Sequence, residues 1–243
     1  MRYKLIVSYD GSLYCGFQKQ INEKTIQEEL ENALYQVFKK PVTINASGRT
    51  DAGVSAIAQM CHFDVEEEFD EHKTMKYLNV LLSEAVKVLE IKKTTEDFHA
   101  RKTAKKKTYE YWFYVGNEIP IYEKIAQNIG YNINIDEMRV ACKNFIGEHD
   151  FSAFCASNTS IKDKVRTIYD MDIVKVDDAL YKLVVIGNGF LYNMVRIIMG
   201  TLVSVGLGKL KAKDVVDIVK SKDRANAGKT MPPKGLILKK VEY

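Results

Sequence analysis

The first half of the chain alternates between strand-like and helix-like hydrophobic patterns. Apolar residues at every second position over residues 2–9 predict a strand. The sequence Thr25-Ile26-Gln27-Glu28 has the form of a capping box and precedes an apolar helical face, which predicts the start of an amphipathic helix. The pattern further predicts strands over Val42–Ala46, Gln59–Val65 and 86–93, and a second helix over 72–82. This β-α-β-β-α-β order is typical of a ferredoxin-like unit.

The second half mixes helices and strands again. A strand-favouring aromatic run occupies Tyr109–Tyr114. Beyond it, the pattern predicts a helix over Ile135–Phe145, a polar loop over Ser152–Lys164, strands over Arg166–Val176 and Tyr181–Ile186, an apolar helix from Phe190, a short helix over Lys211–Lys220 and a strand over Leu236–Val241. We therefore predict an α+β protein. Two ferredoxin-like or RRM-like halves, residues 1–100 and 101–243, are expected to form a continuous, mostly antiparallel sheet with flanking helices and a central cleft.

Composition and charge narrow the function classes only a little. The 243 residues are 46% hydrophobic and 28% charged, as in soluble globular proteins, and the net charge of +4 permits a nucleic-acid partner without arguing for one. The start of the chain lacks the apolar stretch of a signal peptide. The apolar segment from Gly189 to Gly208 contains Asn193 and Arg196, so it favours a buried helix over a membrane span.

The cysteines and histidines show no spacing typical of a metal or redox site. They are Cys15, Cys61, Cys142, Cys155, His62, His72, His99 and His149. We therefore predict reduced thiols in a cytoplasmic protein, with no metal and no cofactor.

A small-residue loop, Gly48-Arg49-Thr50-Asp51-Ala52-Gly53, places a carboxylate between two glycines. Such a loop can bring its backbone close to a ligand and present Asp51 without steric cover. The alternative is a tight turn between strands in which Asp51 accepts a hydrogen bond from a backbone N–H. The local sequence leaves both interpretations open.

Arg196 is the second unusual residue, because its neighbours in the predicted helix are apolar. Helical spacing places it in a stripe of small and polar residues: Gly189, Asn193, Arg196, Gly200 and Ser204. The stripe could face solvent. Alternatively, Arg196 is held against another backbone and faces a carboxylate, and a pairing with Asp51 would keep that acid ionised.

A basic run leads directly into the aromatic strand. Its members are Arg101, Lys102, Lys105, Lys106 and Lys107. Strand alternation places Lys107, Tyr109, Tyr111 and Phe113 on one face. Packing in a core explains most of these rings, but lysines beside aromatic rings also suit nucleic acid, since lysines neutralise phosphates and rings stack on bases.

Seven ordered segments together resemble the TruA-type tRNA pseudouridine synthases. They are Tyr9-Asp10-Gly11 with Gly16–Gln20, Thr25–Gln27 with Glu29–Glu31, Gly48–Val54, Phe98–Arg101, Lys107–Tyr111, Phe151–Phe154 and Gly189–Gly200. The resemblance spans nearly the whole chain. Two residues depart from the family's pattern: Phe17 stands at the usual Trp, and Ser55 at the usual His.

The resemblance implies isomerisation of uridine to pseudouridine at positions 38–40 in the anticodon stem-loop of tRNA. Uracil is detached from the ribose, turned and reattached through C5, which requires no cofactor. Asp51 would act either as a nucleophile or by removing a ribose proton. Tyr109 would stack on the base and assist loss of the C5 proton, and Arg196 would pair with Asp51. Arg49 would help to extrude the nucleotide.

The resemblance also implies the substrate-binding residues and the assembly. We expect tRNA to contact Gln18, Gln20, Arg49, Thr50, Lys105, Lys106 and Lys107. The N-terminal half would carry the Asp51 loop, and the C-terminal half the strand of Tyr109 and the helix of Arg196. The protein is expected to be a homodimer.

Two alternatives remain at this point. A related enzyme that modifies another RNA is compatible with Ser55. A non-catalytic RNA-binding protein of two RRM-like domains would suit the element order and the basic aromatic strand. It would not need Asp51 between two glycines, or an arginine within an apolar helix.

Overall fold

A computed structural model describes residues 1–157, 159 and 161–243. The predicted polar loop over 152–164 includes residues 158 and 160, which lie outside the described residues. In chain order the elements are β1 (Arg2–Tyr9), α1 (Ile26–Phe38), β2 (Asn45–Ala46), β3 (Ser55–Asp64), α2 (Glu71–Leu81), β4 (Val86–Thr94), β5 (Lys106–Tyr114), β6 (Gln127–Asn128), α3 (Ile135–Cys142), β7 (Gly147–Asp150), β8 (Val165–Lys175), β9 (Leu180–Gly187), α4 (Met194–Gly206), α5 (Asp214–Ser221) and β10 (Leu236–Glu242). The α+β class predicted from the sequence is confirmed.

The chain divides into two compact units. Unit 1 comprises residues 1–105 and 238–243, and unit 2 comprises residues 106–237. The predicted division, in which residues 1–100 carry the Asp51 loop and residues 101–243 carry the strand of Tyr109 and the helix of Arg196, stays a prediction.

Unit 1 has the element order predicted from its hydrophobic pattern. Its strands are antiparallel in the order β4-β1-β3, with β2 and β10 beside β3. Alternate residues of β1 are buried, as the period of two requires. Thr25 is the N-cap of α1, and its hydroxyl accepts from the N–H of Glu28 at 3.4 Å, so the capping-box prediction of this helix start is confirmed.

Unit 2 contains the antiparallel strand order β5-β9-β8-β7, with β6 parallel to the end of β5. Three aromatic side chains of one face of β5, Tyr109, Tyr111 and Phe113, are buried. Residues of α4 pack against α3 and β5. The core of this unit therefore lies between its sheet and α4, with most of α4 buried.

Helix α4 begins later than its apolar pattern predicts. The predicted start at Phe190 is wrong, and the helix begins at Met194. The reason is Asn193, which adopts a left-handed backbone with φ of 61° and so cannot continue a right-handed helix. Among the helices of the described residues, none is both long and apolar enough to cross a membrane.

Candidate active site

The Asp51 loop connects β2 to β3 in unit 1. Asp51 is half-buried and the following Ala52 is exposed. The N–H of Val54 donates to the carbonyl of Asp51 at 3.1 Å, and Gly53 takes a positive φ of 79°. This tight turn needs glycine at position 53 and presents Asp51 at a partly accessible position.

Two glycines of the preceding loop allow it to lie directly against the Asp51 loop. A Cβ on Gly16 would lie 2.9 Å from the carbonyl oxygen of Thr50, and one on Gly11 would lie 2.0 Å from that of Val54. The N–H of Phe17 donates to the same Thr50 carbonyl at 3.0 Å. The segments around Gly11 and Gly16 resemble one motif of the family, and the Asp51 loop resembles another. The first motif therefore supports the second through direct backbone contact.

Helix α1 contributes to this support through Glu29. The hydroxyl of Tyr14 donates to the Glu29 carboxylate at 2.6 Å, and the carbonyl of Tyr14 accepts from the N–H of Gly53 at 3.3 Å. Burial and the hydrogen bond to Glu29 raise the pKa of Tyr14 to about 12, so its hydroxyl remains a donor at neutral pH. The start of α1 is thereby connected to the turn that carries Asp51.

The other predicted substrate-binding residues of unit 1 differ in exposure. Arg49 and Gln18 are exposed, whereas Thr50 is buried and its hydroxyl lies 2.8 Å from that of Tyr9. The Gln20 side chain donates to the carbonyl of Cys15 at 2.8 Å, which closes its own turn. Arg49 and Gln18 are thus accessible to a ligand, and Thr50 positions the loop.

Ser55, which replaces the family's usual His, also holds the loop. Its hydroxyl accepts a hydrogen bond from the N–H of Gly11 at 3.0 Å, next to the close approach of Gly11 to Val54. The small hydroxyl therefore has a local structural role at the start of β3.

Tyr109 lies on β5 in unit 2, opposite Val185 of β9. Its side chain is 9% exposed, and the Phe190 ring meets it edge-on at a centroid distance of 5.1 Å. Edge-to-face packing of this kind fixes the plane of the ring.

Arg196 lies in the first turn of α4 and is half-buried. Its Nε donates to the carbonyl of Met231 at 2.6 Å, and its Nη1 donates to the side-chain oxygen of Asn193, also at 2.6 Å. In return, the backbone N–H of Met231 donates to the carbonyl of Arg196 at 3.2 Å. The guanidinium is therefore held against the backbone of Met231. This agrees with the interpretation that Arg196 lies against another backbone, and not with a stripe that faces solvent.

Residues 228–231 form a strap against Arg196, which the hydrophobic pattern did not predict. A Cβ on Gly200 would lie 1.8 Å from the carbonyl oxygen of Lys229, and one on Gly228 would lie 2.4 Å from the Gly200 carbonyl carbon. The N–H of Gly228 donates to the Thr201 hydroxyl at 2.8 Å. Gly200 belongs to the predicted stripe of small and polar residues. It must be small because the backbone of the strap lies directly against it. The sequence signal is Gly228 followed closely by Pro232 and Pro233, a glycine–proline pattern typical of an ordered turn.

The predicted basic residues lie at the junction of the two units in sequence. Lys105 and Lys106 are exposed, whereas Lys107 is half-buried. The Lys106 ammonium lies 5.5 Å from the centroid of the Tyr169 ring, within cation–π distance. Of the three lysines predicted to bind substrate, Lys105 and Lys106 are therefore more accessible to a phosphate than Lys107.

The turn before this basic run is fixed by a buried histidine. Burial, with smaller contributions from Arg2 and His99, lowers the pKa of His62 to about 4, so the ring is neutral at pH 7. Its Nδ1 accepts from the N–H of Ala100 at 3.2 Å. The Tyr243 hydroxyl donates to the carbonyl of the same alanine at 2.6 Å. Both contacts anchor the segment that resembles the family's Phe-His-Ala-Arg motif.

Within the described ranges, no group of three or more His, Cys, Asp or Glu residues could hold a metal ion. Burial raises the pKa of the Cys142 thiol to about 12, so this cysteine is neutral at physiological pH.

Comparisons with a family model and with individual relatives agree, and the relatives cover the whole chain. A family model described as tRNA pseudouridine synthase matches residues 5–101 and 141–243. A tRNA pseudouridine synthase A from Bacillus subtilis (strain 168) is 42% identical over 246 residues, covering 100% of this chain and 99% of that protein. One from Listeria monocytogenes serotype 4b (strain CLIP80459) is 42% identical over 248 residues, with the same coverage.

One solved structure shows a weaker structural similarity to this chain. The crystal structure of a Cbf5-Nop10-Gar1 complex matches with a TM-score of 0.38 and 10% identity, covering 97% of this chain and 57% of that one. The family model and the full-length relatives are sufficient: this chain belongs to the tRNA pseudouridine synthase family.

Proposed function

We propose that this protein isomerises uridine to pseudouridine at positions 38–40 in the anticodon stem-loop of tRNA, with Asp51 as the nucleophile. The observation that carries the proposal is the Asp51 loop. Its sequence is that of the family motif, and the loop is packed against Gly11 and Gly16 with Asp51 half-buried. Family membership supports the reaction and the tRNA substrate.

The reaction moves the glycosidic bond of uridine from N1 to C5 of the base. An ionised Asp51 would attack C1′ or C6 of the nucleotide and leave again when the C5 bond to the ribose has formed. Removal of a ribose proton by the same carboxylate is the other route. In both routes the C5 proton is lost to solvent and one proton is returned to N1, so the product is an isomer of the substrate. Both routes require the charged form of Asp51.

The remaining catalytic roles are assigned by the family resemblance and supported by local geometry. Tyr109 stacks on the uracil and assists loss of the C5 proton, a role that the fixed plane of its ring favours. Arg196, whose guanidinium is held by Met231 and Asn193, is the proposed partner of the ionised acid. Arg49, which is exposed, helps to extrude the nucleotide, because a stacked base conceals the glycosidic bond.

The proposal has a direct biochemical test. A tRNA transcript labelled with tritium at C5 of its uridines should release tritium when incubated with the protein, since C5 exchanges its proton for the ribose. Release should continue in EDTA without any added cofactor. No release from a tRNA transcript, or release that depends on one restored metal, would contradict the proposal.

The basic run should bind phosphates without reading sequence. Changing Lys105, Lys106 and Lys107 together to Gln should weaken tRNA binding and flatten its dependence on salt. The slope of log affinity against log salt should fall by about 1 for each lysine that contacts a phosphate. Binding isotherms at several salt concentrations measure this slope.

Two further variants make the lysine experiment specific. Because Lys107 is half-buried, the variant of the exposed Lys105 and Lys106 alone guards against a folding defect. Changing the exposed Lys211 and Lys213 to Gln removes the same charge as the Lys105 and Lys106 pair at a distant position in the sequence and serves as the control. An unchanged slope in the triple variant would show that the RNA does not contact these three lysines. An equal effect of the control pair would contradict a specific role for them.

Assembly and location complete the proposal. By resemblance to the family we propose a homodimer in the cytoplasm, and light scattering of the purified protein tests the first of these. The alternative of a non-catalytic RNA-binding protein is not favoured, because the chain belongs to an enzyme family and carries the matching segment Gly48–Val54 around Asp51. A related enzyme for another RNA would be recognised by tritium release from that RNA and none from tRNA.

A further inference from the structure

We propose that Gln59 is a positioning residue that fixes the Asp51 loop for catalysis, an inference that rests on the proposed role of Asp51. Gln59 lies on β3 opposite Val7 of β1 and is fully buried, with an exposed fraction of 0%. A buried amide needs partners for both of its ends. Those partners lie in the loop that leads to Asp51.

Both ends of the Gln59 amide are engaged by the segment 47–48. The hydroxyl of Ser47 donates to Oε1 at 2.6 Å, and Nε2 donates to the carbonyl of Gly48 at 2.8 Å. A carbonyl can only accept, so the nitrogen end of the amide must face Gly48 and the oxygen end must face Ser47. An ionised Glu of the same length could only accept, so it could not serve both Ser47 and Gly48.

The network continues to the residue immediately before Asp51. Nε2 of Gln59 also lies 3.5 Å from the hydroxyl of Tyr9, which in turn is 2.8 Å from the hydroxyl of Thr50. The carbonyl of Thr50 accepts from the N–H of Phe17 at 3.0 Å. Thr50 is thus held by its side chain and by its main chain, and this restricts the backbone that enters Asp51.

The burial of Gln59 and its partners indicates that the network positions the loop. Gln59 and Ser47 have no exposed surface, and Tyr9 is 4% exposed. Hydrogen bonds among groups shielded from water are costly to break, because the group left behind loses a partner that water cannot replace. The network therefore favours one conformation of the loop, and an error of about 1 Å in a catalytic group can slow a reaction about a hundredfold.

The test compares Gln59→Met with a matched variant of another bridging amide. Gln59→Met keeps an apolar chain of similar length and removes both hydrogen-bonding ends. Asn79 of α2 makes a similar bridge, since its amide nitrogen donates to the carbonyl of Val88 and its oxygen accepts from the N–H of Val88, both at 2.8 Å. Asn79→Leu therefore removes a comparable pair of contacts in the same unit, away from the Asp51 loop.

Three quantities are measured for each variant: the single-turnover rate at saturating tRNA, the Kd for tRNA and the melting temperature. For Gln59→Met we expect the rate to fall about 10- to 100-fold, with the Kd within about twofold of the wild type. For Asn79→Leu we expect a lower melting temperature and an unchanged rate. A Gln59→Met rate within about twofold of the wild type, or an equal loss of rate in Asn79→Leu, would overturn the inference.

A milder variant keeps the inference testable if Gln59→Met does not fold. Tyr9→Phe removes one hydroxyl from the network and leaves the ring, and it should lower the rate with the Kd unchanged. A folded Tyr9→Phe protein with the wild-type rate would then overturn the inference. Failure of the proposed function itself would give a different result. In that case the wild type would release no tritium, or Asp51→Asn would retain full activity.

Discussion

Replacing Asp51 by Asn is expected to abolish pseudouridine formation while tRNA binding persists. Asn has nearly the same size and can occupy the same half-buried position, but it lacks the negative charge that the proposed nucleophile requires. For a nucleophile, the expected loss of single-turnover rate is on the order of a thousandfold or more. Tritium release and tRNA affinity, measured on the same preparation, separate chemistry from binding.

A matched carboxylate in the same unit provides the control for Asp51→Asn. Asp70 is exposed and is the N-cap of α2, where its side chain accepts from the N–H of Lys73 at 2.8 Å. Asn is as good an N-cap as Asp, so Asp70→Asn removes the same charge without harming the helix. Asp70→Asn should retain the wild-type rate. Turnover by Asp51→Asn close to that of the wild type would contradict the catalytic role of Asp51.

Arg196→Lys is expected to slow the reaction even though it conserves the positive charge. The guanidinium donates from two different nitrogens, Nε to Met231 and Nη1 to Asn193, and this fixes its plane. The single ammonium of Lys cannot reproduce that arrangement. We expect a fall in single-turnover rate of about 10- to 100-fold, with little change in tRNA affinity. An equal rate in the Lys variant would mean that only the charge matters.

The pH dependence of the rate tests the predicted partnership of Arg196 with Asp51. A neighbouring guanidinium stabilises the ionised form of a carboxyl group and lowers its pKa. Arg196→Met removes that charge, so the pKa of the catalytic acid should rise. The acidic limb of the rate profile should therefore move to higher pH. An acidic limb at the wild-type pH would show that Arg196 does not act on the acid whose ionisation limits the rate.

The local pattern of hydrophobic and polar residues was sufficient to predict many of the helices and strands in each unit. The alternation of β1 and the capping box at Thr25 depend on neighbouring residues, and both are confirmed. Helix α4 was predicted from Phe190 because its apolar residues begin there. Its true start depends on the left-handed backbone of Asn193, which a hydrophobic pattern does not record.

Contacts between distant residues account for what the sequence did not predict. The strap over α4 joins Arg196 to Met231, 35 positions away in sequence, and no local period signals such a contact. Gln59 likewise occupies an ordinary strand position, and its importance to the loop is visible only once Ser47 and Tyr9 lie beside it. Glycines on both sides of Asp51 indicated an unusual backbone, but the local sequence left its role open, and the catalytic role was predicted from the resemblance to the family.

The most direct test of the proposed function is chemical mapping of pseudouridine along an unmodified tRNA transcript after incubation with the purified protein. We expect pseudouridine at those of positions 38–40 that carry uridine, at no other uridine, and at none of them with Asp51→Asn. Unmodified positions 38–40, or the same modification made by Asp51→Asn, would contradict the proposal that this protein isomerises anticodon-arm uridines through the carboxylate of Asp51.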